Sequence, residues 1–284
     1  MSQNGIFLLA PTLFAHGTPE QCARLLPKMA SAEEVWAQAW SEPEAGSDLA
    51  AIRASATRTE GGWLLRGQKT WSSRATFADR GFGFVPHFRG KTPGPDVLHV
   101  LAQCSRVTVR PINQLDGEPG FAEIFLDDVF VPDEDVIGDV DNGWKVAMST
   151  ASNERGLLVA QSWTVSGDRA TARRPMAGVA RTCFTRSRCG RVDRCSGVSV
   201  VHVRDRHPAD GRWHSRPESS VNKLFWSELD IAMHETALDL LGGEGEADGP
   251  WLDGYLFSLA GPIYAGTNEI QRNVVAERIL GLPR

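Results

Sequence analysis

The sequence lacks the features that mark several broad classes of protein. No run of eighteen apolar residues occurs, so no membrane-spanning helix is predicted. The short apolar patch near the start follows no basic stretch, so we expect no signal peptide. The five cysteines show no paired spacing, which favours a reducing compartment and a cytoplasmic location. A net charge of −5 argues against a nucleic-acid-binding protein.

What is present is sufficient for a folded enzyme. The chain has 284 residues, of which 42% are hydrophobic, enough for one large domain or two smaller ones. A short helical pattern comes first, a strand-rich middle follows, and a helical pattern resumes at Gly143. This segregation of helices and strands predicts an α+β fold rather than alternating βαβ units. We predict domain boundaries at 1–33, 34–142 and 143–284.

The predicted elements follow from periodicity and turn residues. Residues 19–30 read as a surface helix with Ala23, Leu25, Leu26 and Met29 on its inner face. Alternation around Gly61-Gly62 predicts a β-hairpin that pairs residues 63–72 with residues 51–59. Further strands are predicted at 34–41, 106–112 and 121–132, with a loop at 42–48.

The segment 165–216 has an unusual composition. Its 52 residues contain no Leu, Glu or Lys, and its twelve Arg against four Asp give a local net charge of +8. Leu, Glu and Lys are among the commonest residues of globular domains, so we do not expect ordinary helices here. Our preferred hypothesis is translation in the wrong frame, with 86–105 as a shorter case. The alternatives are a basic nucleic-acid patch and a zinc site, although the spacing fits no compact zinc pattern; that site would use Cys183, Cys189, Cys195, His202 and His207.

The stretch GPIYAGTNEIQRNVVAERILGLPR closes the chain and predicts a turn followed by an amphipathic helix. Gly266 suits the turn, and the Thr267 hydroxyl can cap the helix. Ile270, Val274 and Ile279 lie near helical spacing and predict its apolar face. A helix N-terminus of this kind can receive a carbonyl oxygen or a phosphate.

Five segments in this order resemble the acyl-CoA dehydrogenase family. SEPEAGSD and GQKTWSSRATFAD are similar to the family's two flavin segments, and DDVFVP is similar to the exit from its β-domain. GWKVAMSTASNERG resembles the first long helix beyond that domain, and YAGTNEIQRNVVAERILGLPR resembles the last helix. Together the resemblance covers about residues 8–80, 106–162 and 219–284.

The resemblance implies a fold, a reaction and partners. The family has an N-terminal helical domain, a middle antiparallel β-domain and a C-terminal four-helix bundle, and FAD lies between subunits. Only forty residues precede Ser41 here, so we expect most of the N-terminal helical domain to be missing, with 1–33 as its remnant. The implied reaction takes an α-proton from an acyl-CoA thioester and passes the β-hydrogen to FAD, which belongs to fatty acid metabolism. The implied partners are an electron-transfer flavoprotein as acceptor and further subunits in a homo- or hetero-oligomer.

The resemblance also implies roles for individual residues. Many members place the catalytic carboxylate directly before the Gly-Thr of the last turn, where this chain has Ala265. Other members place it on the first helix after the β-domain, which matches Glu154. Because Ala147, Ala151 and Glu154 are spaced by four and three residues, a helix would set them on one face. The predicted cofactor residues are Gln38, Trp40, Ser41, Trp71, Ser73, Asp239, Gly243, Thr267 and Glu269, and the predicted substrate residues are Ser47, Arg155 and Gly266.

The same resemblance is compatible with two other functions. A non-catalytic partner subunit of a heteromeric dehydrogenase would fit the short N-terminal region, although Glu154 argues against it. An acyl-CoA oxidase would share the fold and pass electrons to O₂. From the aberrant segment and the missing helical domain, we expect the chain alone to bind FAD weakly and to show little activity.

Overall fold

The structure is a computed structural model, and it divides into two compact units. The first unit is Met1–Asn153 and the second is Glu154–Arg284. The described residues are 4–86, 88–89, 92–93, 97–102, 105–151 and 218–283.

Short helices open the first unit. A π-helical turn, Gly5–Leu9, leads into α1, Ala10–His16, and α2 follows at Pro19–Ala30. Thr18 and Gln21 form a capping box at the start of α2, so each side chain bonds the other residue's backbone N–H. The helix is as predicted, but its inner face is Gln21, Leu25 and Met29, whereas Ala23 is exposed.

Among the described residues of the first unit, ten strands form two four-stranded sheets and one two-stranded sheet. The orders are β1-β4-β7-β10, β2-β3-β9-β8 and β5-β6. Strands β1 and β4 run parallel, whereas the other neighbouring pairs are antiparallel. A 3₁₀ turn, Leu49–Ala51, precedes β2, another, Asp133–Asp135, precedes β10, and a helix, α3, covers 143–151. The strands are β1 Trp36–Ala39, β2 Ser55–Thr59, β3 Gly62–Lys69, β4 Arg80–Val85, β5 Phe88–Arg89, β6 Thr92–Pro93, β7 Val97–Ala102, β8 Val107–Ile112, β9 Phe121–Pro132 and β10 Val136–Ile137.

The predicted hairpin is confirmed with shorter strands. Its register runs from Ser55 opposite Arg66 to Thr59 opposite Gly62. Alternate residues of β3 and β9 point into a core shared by the two large sheets, which explains their period-two pattern. The main core residues are Ala37, Ala39, Trp63, Leu65, Val85, Ile124, Leu126, Val129 and Val131.

A bulge interrupts the pairing of β3 with β9. Leu65 lies opposite Val129, but Gly67 lies opposite Leu126, so the register shifts between them. Gly67 has a φ of +147°, and a Cβ there would lie 2.7 Å from the Cα of Ala54. Only glycine permits this approach, which brings the end of β3 against the start of β2.

The second unit is helical where it is described. Its helices are α4 Glu218–Leu241, α5 Pro250–Ser258 and α6 Asn268–Arg278, with a 3₁₀ segment Gly242–Glu246 after α4. The Thr267 hydroxyl accepts a hydrogen bond from the N–H of Ile270 at 3.3 Å, so the predicted cap is confirmed. The predicted apolar face is wrong at Ile279, which follows the helix and is exposed. The buried residues of α6 are instead Asn268 and Gln271.

The structure describes part of one of the two segments of unusual composition and none of the other. The segment 165–216, with its five potential zinc ligands, lies outside the described residues. Within 86–105, Val97–Ala102 forms a six-residue antiparallel ladder with β4, so this part is a regular strand. In the described ranges, no helix is both long and apolar enough to cross a membrane, and no cluster of metal-ligating side chains is found.

Candidate functional site

Two of the predicted cofactor segments are adjacent in the first unit. The Ser41 carbonyl accepts a hydrogen bond from the N–H of Thr70 at 2.9 Å. This bond joins the residue after Trp40, just beyond β1, to the residue after β3. The segment Trp40–Ser41 and the turn Trp71–Ser73 are therefore held side by side, as the predicted roles require.

A buried ion pair lies directly behind this junction. The Lys69 ammonium is fully buried and donates to Glu42 Oε1 at 2.8 Å, to the Trp40 carbonyl at 3.2 Å and to the Phe84 carbonyl at 2.8 Å. The Glu42 carboxylate also accepts from the backbone N–H of Arg53 at 2.6 Å and of Ala54 at 3.0 Å. Both buried charges therefore have hydrogen-bond partners within the protein, as buried charges require.

The turn after β3 presents an aromatic side chain to the outside. Trp71 is 60% exposed and has a φ of +58°, a conformation that costs a non-glycine residue about 1–3 kcal/mol. Its ring meets Phe121 edge to face, with centroids 6.0 Å apart. The next residue, Ser72, exchanges two backbone hydrogen bonds with Ala122 and so anchors the turn to β9.

The other predicted residues of the first unit lie on β1, in the loop after it and in the turn after β3. Gln38 is half-buried on β1, and Trp40 is buried against Phe84, with ring centroids 6.2 Å apart. Ser73 is half-buried, and no hydrogen bond reaches its hydroxyl from the described part of the chain. Ser47 lies in the exposed loop after β1.

In the second unit, the predicted residues gather at the start of α6. Ala265 and Gly266 both have positive φ, +54° and +81°, and they form the turn before the Thr267 cap. The buried Gln271 amide donates to both turn carbonyls, at 3.1 Å to Ala265 and 3.3 Å to Gly266. The turn is therefore held by a side chain one helical turn further on.

A buried lysine supports this turn from α4. Lys223 is 1% exposed and donates to Asn268 Oδ1 at 2.7 Å, and the Ser227 hydroxyl donates to the same oxygen at 3.1 Å. Burial lowers the pKa of the Lys223 ammonium to about 8, although the carboxylates of Glu269 and Glu228 act in the opposite direction. The first residue of α6 is thus fixed by two donors of α4.

Of the remaining predicted residues, one lies in the first turn of α6, two lie near the end of α4, and two lie outside the described residues. Asp239 is exposed near the end of α4, and Gly243 is exposed in the 3₁₀ segment that follows. Glu269 is exposed on α6 and pairs with Arg272 at 3.4 Å. Glu154 and Arg155 lie outside the described residues.

A groove of about 880 Å³ lies elsewhere in the first unit. It contains the Arg58–Asp133 ion pair, and the Arg58 guanidinium also stacks over Trp63 at 5.1 Å. None of the predicted cofactor or substrate residues lines it. The candidate site of this unit is therefore the region of Trp40–Ser41 and Trp71–Ser73.

Sequence reasoning missed the buried charges behind both predicted regions. Lys69 and Glu42 stand inside the two segments that carry the resemblance, and Lys223 stands in an apolar stretch of α4. A charged residue in a stretch with buried neighbours was the available signal. Its partner could not be identified, because each partner comes from a segment that is distant in the chain.

Comparisons with known proteins agree with the resemblance. The acyl-CoA dehydrogenase middle domain matches residues 37–129, and the acyl-CoA dehydrogenase C-terminal domain matches residues 191–280. The acyl-CoA dehydrogenase IpdE1 of Mycobacterium tuberculosis is 36% identical over 98% of this chain and 74% of its own length. The human mitochondrial very long-chain specific acyl-CoA dehydrogenase is 30% identical over 92% of this chain and 43% of its own length. The solved ChsE4-ChsE5 complex from Mycobacterium tuberculosis has a TM-score of 0.81 at 23% identity, covering 100% of this chain and 78% of the other.

Proposed function

The chain belongs to the acyl-CoA dehydrogenase family of oxidoreductases, and we propose that it catalyses the α,β-dehydrogenation of an acyl-CoA thioester with FAD as cofactor. The product is the trans-2-enoyl-CoA. The reaction breaks one C–H bond at the α carbon, as a proton, and one at the β carbon, as a hydride. When bound, FAD supplies the acceptor for the two electrons of that hydride.

One observation carries this proposal. Trp71 has an exposed ring and a strained backbone conformation, and two residues on, the Ser73 hydroxyl accepts and donates no hydrogen bond within the described residues. Strained residues persist where the surrounding fold over-determines them, and they are concentrated at ligand sites. An aromatic surface next to such a hydroxyl suits a flat, polar-edged ring system such as a flavin. We therefore assign Trp71 and Ser73 to the flavin ring, with Gln38, Trp40 and Ser41 as further cofactor residues.

The α-proton requires a base, and we assign that role to Glu154. Ala265 carries no group that can accept a proton, although it stands at the position many family members use. On a helical face shared with Ala147 and Ala151, as the sequence spacing predicts, a carboxylate would be desolvated, and desolvation raises its basicity.

The turn before α6 is assigned to the thioester and the cofactor. Its helix N-terminus offers backbone N–H groups and a partial positive charge, which stabilise an oxygen that becomes negative as the α-proton leaves. Gly266 and Arg155 are assigned to the substrate together with Ser47. Thr267, Glu269, Asp239 and Gly243 are assigned to FAD. We further propose an electron-transfer flavoprotein as acceptor and an oligomeric enzyme.

Substitution of Glu154 tests the proposal. In a frame-corrected, full-length version, Glu154→Gln keeps the size of the side chain and removes its basicity, so we expect turnover to fall at least ~10²-fold while bound flavin is unchanged. The assay follows octanoyl-CoA and isovaleryl-CoA with a dye acceptor and compares the rate in air. Glu235→Gln, on the exposed face of α4, is the matched control and should keep wild-type turnover.

A rescue variant distinguishes a missing base from a damaged fold. Ala265→Glu in the Glu154→Gln background places a carboxylate at the other position used in the family. Partial recovery of turnover supports the assignment of the base. Unchanged turnover in Glu154→Gln would show that the base lies elsewhere.

A second candidate is a non-catalytic subunit of a two-chain dehydrogenase. The observation that favours it is Ala265, which leaves this turn without a carboxylate. The ChsE4-ChsE5 complex is a two-chain assembly with a similar fold. This candidate would be supported over the first if the chain alone bound flavin without turnover. A partner chain would then restore turnover, and Glu154→Gln would leave the restored turnover unchanged.

A further inference from the structure

The buried Lys69–Glu42 ion pair joins four separate pieces of backbone. Lys69 is 0% exposed at its side chain and Glu42 is 7% exposed. Through these two side chains, the end of β3 is bonded to Trp40, to Phe84 on β4 and to the amides of Arg53 and Ala54. No surface water is needed to satisfy either charge, because three acceptors face the ammonium and three donors face the carboxylate.

Stability alone does not account for such a pair. Removing two charges from water is expensive, and well-packed apolar residues of similar volume usually give equal or greater stability. What apolar residues cannot do is bond specific carbonyls and amides. The pair therefore fixes the positions of particular backbone groups, namely those of Trp40 and of the residues that follow β3.

The strained turn depends on the same region. Thr70 follows Lys69 directly and donates its N–H to the Ser41 carbonyl. Trp71 comes next, with its positive φ and its exposed ring. Because Trp71 is largely exposed, its own burial offsets little of the strain. The flanking backbone must hold it: Ser72 is bonded to Ala122 of β9 on the C-terminal side, and Lys69 anchors the N-terminal side.

We propose that the Lys69–Glu42 pair is a positioning element that fixes the spacing between the Trp40–Ser41 segment and the Trp71–Ser73 turn for the flavin ring. The proposal rests on the proposed function for the identity of the ligand. It makes Lys69 and Glu42 neither catalytic nor cofactor-contacting. They act through the backbone of the residues that do make contact.

The first test uses the protein without added FAD. Hydrogen-exchange mass spectrometry compares wild type with Lys69→Met on peptides spanning 52–57, 70–74 and 121–132. We expect exchange at the first two to accelerate at least about tenfold, because the acceptors of the Arg53, Ala54 and Thr70 amides remain but are no longer held in place by the ammonium, while the β9 peptide stays protected. Unchanged exchange at 52–57 and 70–74 would overturn the proposal.

Lys69→Met leaves the Glu42 carboxylate buried without its partner, and the variant can fail to fold for that reason. The double variant Lys69→Met/Glu42→Gln removes both charges and separates positioning from stability. We expect its unfolding midpoint in guanidinium to lie within about 0.3 M of wild type. We expect its dissociation constant for FAD, measured by quenching of flavin fluorescence, to rise at least about tenfold, equivalent to about 1.4 kcal/mol.

The matched control is Arg66→Met, on the same strand. Arg66 forms an exposed ion pair with Asp128 at 2.6 Å, so its loss should change neither exchange at 70–74 nor the affinity for FAD. If the double variant folds and binds FAD like wild type, the pair is a replaceable part of the core and the proposal is refuted. Weak uptake of FAD by the chain alone is already expected, so if wild type takes up no FAD, the exchange measurement alone decides whether the pair positions the two segments.

Discussion

Replacing Gly67 by alanine is expected to weaken the β-rich unit more than replacing a glycine in one of its open loops. A Cβ at Gly67 would lie 2.6 Å from the Cβ and 2.7 Å from the Cα of Ala54. Backbone atoms cannot move aside as the tip of a long side chain can. The strand β3 would have to shift away from Ala54, and with it the bulge opposite Leu126.

The magnitude follows from two contributions. The unfavourable φ of +147° costs an alanine about 1–3 kcal/mol, and overpacking against Ala54 adds about 1–3 kcal/mol. Alanine also restricts the unfolded chain, which returns about 0.4–1 kcal/mol. The extremes of these ranges give about 1–5.6 kcal/mol, and their middle values give an expected net loss of about 3 kcal/mol in the free energy of unfolding.

Two further glycines separate these contributions. Gly61 has a φ of +71°, but a Cβ added there would meet no atom within 4 Å, so Gly61→Ala reports the backbone strain alone, about 1 kcal/mol. Gly46 has open space and no positive φ, so Gly46→Ala should be neutral or slightly stabilising. The expected order of stability is therefore Gly46→Ala, then Gly61→Ala, then Gly67→Ala.

The assay must report the β-rich unit separately from the helical unit. Pulsed hydrogen exchange across a guanidinium series gives a midpoint for peptides spanning 55–69 that is independent of those spanning 218–241. With a denaturant dependence of about 4 kcal/mol per molar, the Gly67→Ala midpoint should fall by about 0.75 M. A midpoint equal to that of Gly46→Ala would refute the close-approach argument.

Three further predictions concern the helical unit. Thr267→Val removes the hydroxyl that caps Ile270 and should cost α6 about 1 kcal/mol, read as faster exchange over 268–272. Burial lowers the pKa of His234, but its hydrogen bonds with Asp230 outweigh burial and raise it, so this pair stabilises the unit below about pH 6.5. That stabilisation should be lost as the pH rises through the raised pKa, and His234→Gln should abolish the dependence in denaturation curves. The pKa of Lys223 is lowered from 10.5 to about 8, so stability should rise between those pH values, and Lys223→Met should remove that rise.

The strands and the turn signals could be predicted from the sequence. Strand β9 is Phe121–Pro132, the predicted bounds, because its alternation of apolar and polar residues matches a sheet with one buried face. Gly61 and Gly62 mark the hairpin because a tight turn needs a positive φ, which Gly61 has. These features are local, and each depends on residues that are near neighbours in the chain.

Features that depend on distant partners could not be predicted. Asn268 and Gln271 are buried on α6 because Lys223 and the turn carbonyls bond them, so hydrogen bonding overrides the apolar period that favoured Ile279. The close contact of Gly67 with Ala54 depends likewise on the bulge between β3 and β9. Periodicity records which residues are apolar, but it does not record which polar residues find partners.

The geometry of the turn before α6 does not depend on the side chain at position 265, where Ala265 stands in place of a carboxylate. The turn before α6 is held by the Gln271 amide on the carbonyls of Ala265 and Gly266, and by Lys223 on Asn268. None of these bonds uses the side chain at position 265. Alanine already bears the cost of a Cβ at a φ of +54°, so a longer side chain there adds little backbone strain. The turn can therefore keep its geometry with or without an acid at this position. Glu154 can therefore supply the catalytic base while the backbone N–H donors of the turn keep their proposed role of stabilising the thioester oxygen.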